Sequence, residues 1–386
     1  MKFLSLIAAC GLVSSVLAAP TPDVIKGNPF SGVNFYVNPL YTQEVSQSLK
    51  VLTQEKEWSL DAQAAVVGLT STAVWLDSHV KVPSISYHLE NSLVQAKLTG
   101  KKTVVTFVIY DLPNRDCSAG ASAGEYTVAD NGLEYYKEYI NSIKAEFNKY
   151  PEARVTCIIE PDSLGNLVTN LAVPKCAEAE ADYKAGIIYA IQQLQQPNVA
   201  LYLDAAHGGW LGWPNNRIGA VQLFGELLQA AAPATIRGFS TNVSNYNKFN
   251  TTAFDPITKY SDTPDELLYI QKLTPLLQNA SLPYNFVTDT SRNGQQNIRN
   301  TWGDWCNIKG AGLGARPSAN TGVSNVDAFL WVKTPGESDG TSNSSAPLYD
   351  PNCSQNDSLP NAPNAGSWFN QQFIMLVENA NPPIKA

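Results

Sequence analysis

The sequence predicts an α/β fold built on parallel strands, and three observations carry the prediction. Short apolar, β-branched runs recur along the chain. Stretches of helical period separate many of them, and polar residues gather at the C-terminal ends of the runs. Strand-like runs alternating with helices imply βαβ units, whose strands lie parallel. In a parallel barrel the C-terminal strand ends form one rim, where active sites are built. A length of 386 residues suits one such barrel with loop insertions.

In chain order the runs are 32–37, 72–77, 103–111, 155–162, 199–205, 238–243, 284–288 and 328–333. Leu133, Tyr136, Ile140, Ile143 and Phe147 make one helical stripe, ended by Pro151; Tyr183, Ile187, Ile191 and Leu194 make another. The stretch 103–109 is apolar almost throughout, as expected of a strand covered on both faces. A barrel and a doubly wound sheet both fit this pattern. No Gly-x-Gly-x-x-Gly follows the first run, which argues against a dinucleotide-binding sheet. Asp77, Tyr110, Asp111, Glu160, Asp162, Asp204, Asn242 and Lys333 stand at run ends. One carboxylate there is readily a helix cap. The same feature at several strand ends points to a site.

The N-terminus matches a secretory signal peptide: Lys2, an apolar stretch over 3–16, and the small-residue pattern Val16-Leu17-Ala18. Cleavage is expected after Ala18, leaving residues 19–386 as a single secreted, extracellular, monomeric domain. Of six cysteines, Cys10 leaves with the signal. Cys157 lies in an apolar run and is expected to be a buried free thiol. The other four allow three pairings. Cys117 with Cys176 and Cys306 with Cys353, each closing a local loop, is the favoured one. A formal charge of -8 disfavours nucleic acid and anionic membranes as partners and suits a neutral substrate. There is no Cys-x-x-Cys and no His pair at ligand spacing, so neither metal nor cofactor is expected. Asn-x-Ser/Thr motifs occur at Asn242, Asn250, Asn279, Asn343, Asn352 and Asn356. Asn242 falls in a site strand and is expected to stay unmodified.

Cleaving a glycosidic bond needs a proton donor for the leaving oxygen and electrostatic help for an oxocarbenium-like transition state. The donor's pKa must be raised by burial or by a negative neighbour. Asp162, ending an apolar run, is a candidate donor. Asp116, in the loop after 103–111, is a neighbour able to raise it. Asp339, in the long late segment, is a candidate base.

Tyr110-Asp-Leu-Pro-Asn-Arg-Asp-Cys117 and Ile159-Glu-Pro-Asp-Ser-Leu-Gly-Asn-Leu-Val-Thr-Asn170 closely resemble the two signature segments of glycoside hydrolase family 6. So do Tyr202-Leu-Asp-Ala-Ala-His-Gly-Gly-Trp-Leu-Gly-Trp-Pro214, Trp302-Gly-Asp-Trp-Cys306, Arg316-Pro-Ser-Ala-Asn320 and Asp339-Gly-Thr-Ser342. The resemblance runs from about Asn28 to the C-terminus. It implies a distorted, TIM-like (β/α) barrel acting on cellulose and cello-oligosaccharides, with inversion at the anomeric carbon. By motif, Asp162 matches the family's general acid and Asp116 the aspartate that tunes it and helps deliver water. Tyr110 matches the tyrosine that favours ring distortion, Asp339 the aspartate proposed as base, and Ser122 the serine on the water chain. Trp75 and Trp305 match sugar platforms on the non-reducing side of the cut, Trp210 and Trp213 those on the leaving side. Asp77, Asp204, His207, Asn245, Lys333 and Glu337 match polar contacts to sugar hydroxyls.

Segments 113–130 and 333–368 are both long. Loops on the C-terminal face are therefore expected to form a tunnel, as in an enzyme releasing cellobiose from non-reducing chain ends. An endoglucanase of the same family is the alternative within the family. A non-catalytic glucan-binding protein is the alternative outside it, disfavoured by the presence of Asp162 and Asp116. Ser338 stands where relatives often carry a free cysteine. No linker or Cys-rich module is visible at either end, so no cellulose-binding module is expected.

Overall fold

The computed structural model describes residues 21–386 apart from 252 and 254. The expected signal peptide and Cys10 lie outside the described residues. Eight parallel strands form one sheet: β1 (Asn34–Phe35), β2 (Val74–Leu76), β3 (Thr103–Ile109), β4 (Arg154–Ile159), β5 (Val199–Asp204), β6 (Gly238–Thr241), β7 (Asn285–Asp289) and β8 (Val326–Leu330). The helices are α1 (Pro39–Glu55), α2 (Trp58–Gly68), α3 (Ser84–Thr99), α4 (Gly132–Asn148), α5 (Ser163–Thr169), α6 (Pro174–Leu194), α7 (Pro214–Ala231), α8 (Glu266–Asn279) and α9 (Asn370–Glu378). The two helical stripes read from sequence are the buried faces of α4 and α6.

The barrel is distorted because β1 and β2 share one edge of β3. β1 pairs with its start, at Thr103 and Val104, and β2 with its end, at Phe107 to Ile109. Among the described residues no ladder joins β8 to β1 or β2. The seam is crossed instead by the Ala73 amide donating to the Trp331 carbonyl at 2.9 Å and the Trp75 indole donating to the Val332 carbonyl at 2.8 Å. Helices α1, α2 and α9 pack on one another and on Trp331, through Tyr41, Val45, Leu52, Ala64, Val67, Phe373 and Leu376.

Period-two alternation sorts each strand's side chains into two cores. From β3, Val105, Phe107 and Ile109 face the helices, while Val104 and Val108 face the barrel interior. From β4, Cys157 goes outward, a buried free thiol whose pKa burial raises, while Ile158 goes inward. Thr106 and Thr156 meet inside at 2.8 Å. Phe30 closes the floor of the barrel, its ring 5.5 Å from Phe35 and 6.3 Å from Tyr202.

Several strands stop short of their apolar runs. β4 ends at Ile159 and β6 at Thr241, because Glu160 (φ 50°) and Asn242 (φ 63°) take the left-handed conformation. β8 ends at Leu330, so Lys333 stands in the loop beyond it. Asn242 is fully buried and donates to the carbonyls of Asn247 and Asp289, which leaves no room for a glycan. Phe30→Ala should cost about 3–5 kcal/mol, the usual loss for a buried phenylalanine. Denaturant unfolding checks this, and a loss below about 1 kcal/mol would mean that the floor collapses into the space.

Candidate active site

The turn from β4 into α5 carries the central group. Glu160 turns back to accept the amides of Asp111 (3.1 Å) and Leu112 (3.4 Å). Two residues on, Asp162 (φ 67°) sits at the start of α5. Its amide donates to Asp204 Oδ2 at 3.0 Å. Asp204 also accepts Ala206 N–H (3.0 Å) and Ser240 Oγ–H (3.1 Å). Among the described residues nothing donates to the Asp162 carboxyl. Burial pushes Asp162 well above the usual carboxylate range, and the charges of Asp204 and Asp116 push it further. Burial also lifts Asp204, to about 6, but its three donors hold it down. Of two coupled acids, the one without donors keeps the proton.

The loop after β3 supplies the neighbours. Asp116 (φ 57°) accepts the Ser122 amide at 2.9 Å, and burial raises its pKa while that bond opposes the rise. Tyr110 Oη meets Ser122 Oγ at 3.1 Å. Arg115 organises this loop. It lies 4.6 Å from the Tyr110 ring centroid, donates to the carbonyls of Asp77 (2.6 Å) and Ser122 (2.8 Å), and pairs with Asp111 at 3.2 Å. The loop is bonded to α6 through Cys117–Cys176 and through Lys175, which donates to the carbonyls of Arg115 and Asp116.

Asp339 is held very differently. Its Oδ2 accepts Arg292 (2.7 Å), the Tyr246 hydroxyl (3.1 Å) and the Asn307 amide (2.8 Å). Lys333 Nζ stands 3.6 Å from Oδ1. Burial alone would raise this acid, but Arg292 and Lys333 outweigh burial and hold it below the usual range. With three donors on Oδ2 and two cations beside it, this carboxylate has the environment of a counter-ion.

Both long loops line the site, through Ser118, Ala119 and Ser122 on one and Asp339 and Ala365 on the other. The Gly120 amide donates to Asp350 at 3.2 Å, joining the loop after β3 to the late loop. A Cβ on Gly340 would lie 2.7 Å from both Ala121 Cβ and Cys353 Sγ, so only glycine allows the loops to close this tightly beside the Cys306–Cys353 bond.

Between them and the strand ends is a cavity of about 440 Å³. It brings together all five candidates for chemistry: Asp162, Asp116, Asp339, Tyr110 and Ser122. Trp75, His207, Trp210, Asn245, Trp305 and Lys333 share its wall. Four expected contacts are elsewhere. Asp204 lies 1% exposed beneath Asp162, all its bonds spent on protein, so it supports the acid and does not touch a sugar. Asp77 pairs with Lys81 at 2.7 Å. Trp213 stands edge-on to Trp302 with centroids 6.2 Å apart. Glu337 is raised by burial and held down by the nearby charges of Lys333 and Lys81. Sequence reasoning missed Asn166, Asn170 and Trp302 on the wall and Arg292 behind Asp339. Trp302, Asn166 and Asn170 were inside the resemblance motifs; Arg292 carried no local signal.

The model of the family described as glycosyl hydrolases family 6 matches residues 30–380. Exoglucanase 3 of Agaricus bisporus is 46% identical over 93% of this chain and 80% of its own length. Exoglucanase 2 of Hypocrea jecorina is 46% identical over 92% and 76%. Cellobiohydrolase II (Cel6A) of Humicola insolens, solved with glucose and cellotetraose, superposes with a TM-score of 0.89 at 43% identity, covering 92% of this chain and all of that one. The catalytic core of cellobiohydrolase Cel6A from Chaetomium thermophilum gives 0.90 at 44% over 93% of this chain. A family match across nearly the whole chain, with strand order and acid cluster to suit it, makes this protein a member of glycosyl hydrolase family 6.

Proposed function

We propose that the chain is a cellobiohydrolase, cutting the β-1,4-glucosidic bonds of cellulose with inversion and releasing mainly cellobiose from non-reducing ends. The observation that carries this reading is a buried Asp162 carboxyl without a donor, set beside Asp204 and Asp116 in a cavity whose wall holds tryptophans. The exoglucanases and cellobiohydrolases among its relatives support the substrate. Residues 19–386 act as one secreted, monomeric catalytic domain; two disulfides fit an oxidising compartment.

Asp162 gives its proton to the glycosidic oxygen as the bond to the anomeric carbon breaks. Water attacks that carbon from the opposite face. Tyr110, below the cleavage point, favours a distorted ring. The proton leaving the water passes by Ser122 toward Asp116. Asp339 stays ionised and anchors Arg292 and Lys333 beside the reacting sugar. Trp75 and Trp305 stack sugars on the non-reducing side, with Lys333 at their hydroxyls. Trp210 takes the leaving side with His207 and Asn245. Flat ring faces on aromatics let a chain slide, since stacking is less directional than hydrogen bonding.

The scheme is tested on its products, its acid pair and Asp339. Early products from swollen cellulose should be α-cellobiose by proton NMR, and Asp350→Ala, which frees Gly120 from the late loop, should raise carboxymethylcellulose viscosity loss per bond cut. Steep viscosity loss in the native protein with little cellobiose would leave an endoglucanase. For the acid, Asp162→Asn should lower turnover of unactivated oligosaccharides about 10²–10⁴-fold. Asp116→Asn removes a negative neighbour, lowers the Asp162 pKa, and so should move the basic limb of the pH–rate profile to lower pH; an unmoved limb counts against the coupling. Finally, azide should not restore turnover to Asp339→Ala, and the variant should unfold more readily because Arg292, 0% exposed, loses its counter-ion. Azide-dependent formation of a glycosyl azide would make Asp339 the base after all.

A further inference from the structure

Asn247, on the segment after β6, is 4% exposed and stands behind the cavity wall. One side of its amide receives Trp302 Nε1 at 2.8 Å and Arg299 Nη2 at 2.7 Å. The other side lies 2.9 Å from Glu266 Oε1 and 3.2 Å from His207 Nδ1. Which side is oxygen has to be argued from the partners. An indole N–H and a guanidinium only donate, so the atom between Trp302 and Arg299 is the oxygen. Glu266 Oε1 already accepts the Gly208 amide at 2.9 Å, so the atom facing it must donate and is the nitrogen. The two sides reach the same orientation independently.

An amide nitrogen facing His207 Nδ1 leaves no place for a hydrogen there. The ring is then neutral with its hydrogen on Nε2. The charged groups around it agree: burial first, then Arg299, push His207 down to about 3, while burial lifts Glu266 to about 7. With Nδ1 turned to Asn247, Nε2 is the nitrogen left for the cavity that the ring lines.

We propose that Asn247 is a positioning residue that fixes His207 as a neutral Nε2–H donor to an oxygen of the sugar on the leaving side of the cut. The proposal rests on the reading above that His207 contacts that sugar. It also gives Trp302 and Arg299 a shared task. Both hold the amide oxygen, and Arg299 in addition reaches Asn245 Oδ1 at 3.1 Å, so the same cluster sets two groups of that subsite.

The chain has three histidines, so nitrogen-15 labelling of histidine resolves His207 from His79 and His88. In the native protein His207 should show hydrogen on Nε2 and no titration between pH 4 and 8. Hydrogen on Nδ1, or titration in that window, overturns the proposal, and this arm needs no variant to fold. Asn247→Asp keeps the shape and puts an acceptor against Nδ1. Hydrogen should then appear on Nδ1, with titration inside the window. In an Asp162→Asn background, cellotetraose affinity should become pH-dependent and weaker by tenfold or more. His207 signals unchanged by Asn247→Asp would show that Asn247 does not set the ring. Changed signals with unchanged affinity would remove the donor role; His207→Ala then locates the fault, since unchanged affinity there too means that His207 does not contact the sugar at all.

Discussion

An unequal share of hydrogen-bond donors among three crowded carboxyls governs the active end of this barrel. Asp204 takes three, Asp116 takes the Ser122 amide, and Asp162 takes none. Burial disfavours charge on all three, so the donors decide where the negative charge stays and where the proton remains. The donors are themselves products of the fold. Two of those on Asp204 are backbone amides, those of Asp162 and Ala206, and both residues lie in left-handed turns at strand ends. The turn that carries the acid thus also supplies an amide that favours the ionised form of its neighbour.

The same backbone conformation recurs around the rim. Asp116, Glu160, Asp162, Ala206, Asn242 and Ser244 all have positive φ, and none is glycine. Each such residue costs on the order of 1 kcal/mol or more, and persists only where its surroundings over-determine it. Those surroundings are visible. Glu160 is held by two amides of the preceding loop, Asn242 by two carbonyls, and Asp116 stands beside the cysteine that ties its loop to α6. The strand ends bend where side chains must be re-aimed from the barrel axis to the cavity.

These bends also explain what the sequence did and did not disclose. Strands and helices were legible because burial on both faces leaves an unbroken apolar run, as in 103–109, and a one-sided helix leaves a stripe, as in α4. Where β4 and β6 stop was not legible, because left-handed turns at Glu160 and Asn242 leave no compositional mark. The shared edge of β3 was hidden for another reason: β1 and β2 look like two ordinary strands until their registers are known. The acid and its neighbours stood out by motif, yet Asp204 was misread as a sugar contact. Its alternation with Tyr202 sends it inward, and only the bonds from Asp162, Ala206 and Ser240 reveal that it is fully engaged. Arg292, Arg299 and Asn247 carried no signal, since the partners that give them their place, such as Asp339 for Arg292 and Trp302 for Asn247, lie about fifty residues away in sequence.

The roles of Asp339 and its cations follow from charge balance. A transition state with positive charge on the sugar is poorly served by an adjacent arginine and lysine. Both are nonetheless built into the wall: Arg292 is fully buried with its guanidinium 4.4 Å from the Tyr246 ring centroid, and Lys333 bonds the Ser338 carbonyl at 3.0 Å and thereby holds the late loop. Asp339 faces both, and its lowered pKa keeps it ionised where the cations are closest. Its charge lowers the field those groups would otherwise project onto the cavity. In the proposed scheme that compensation is the task of Asp339. The proposed scheme accordingly gives the activation of water to the Tyr110, Ser122 and Asp116 side of the cavity.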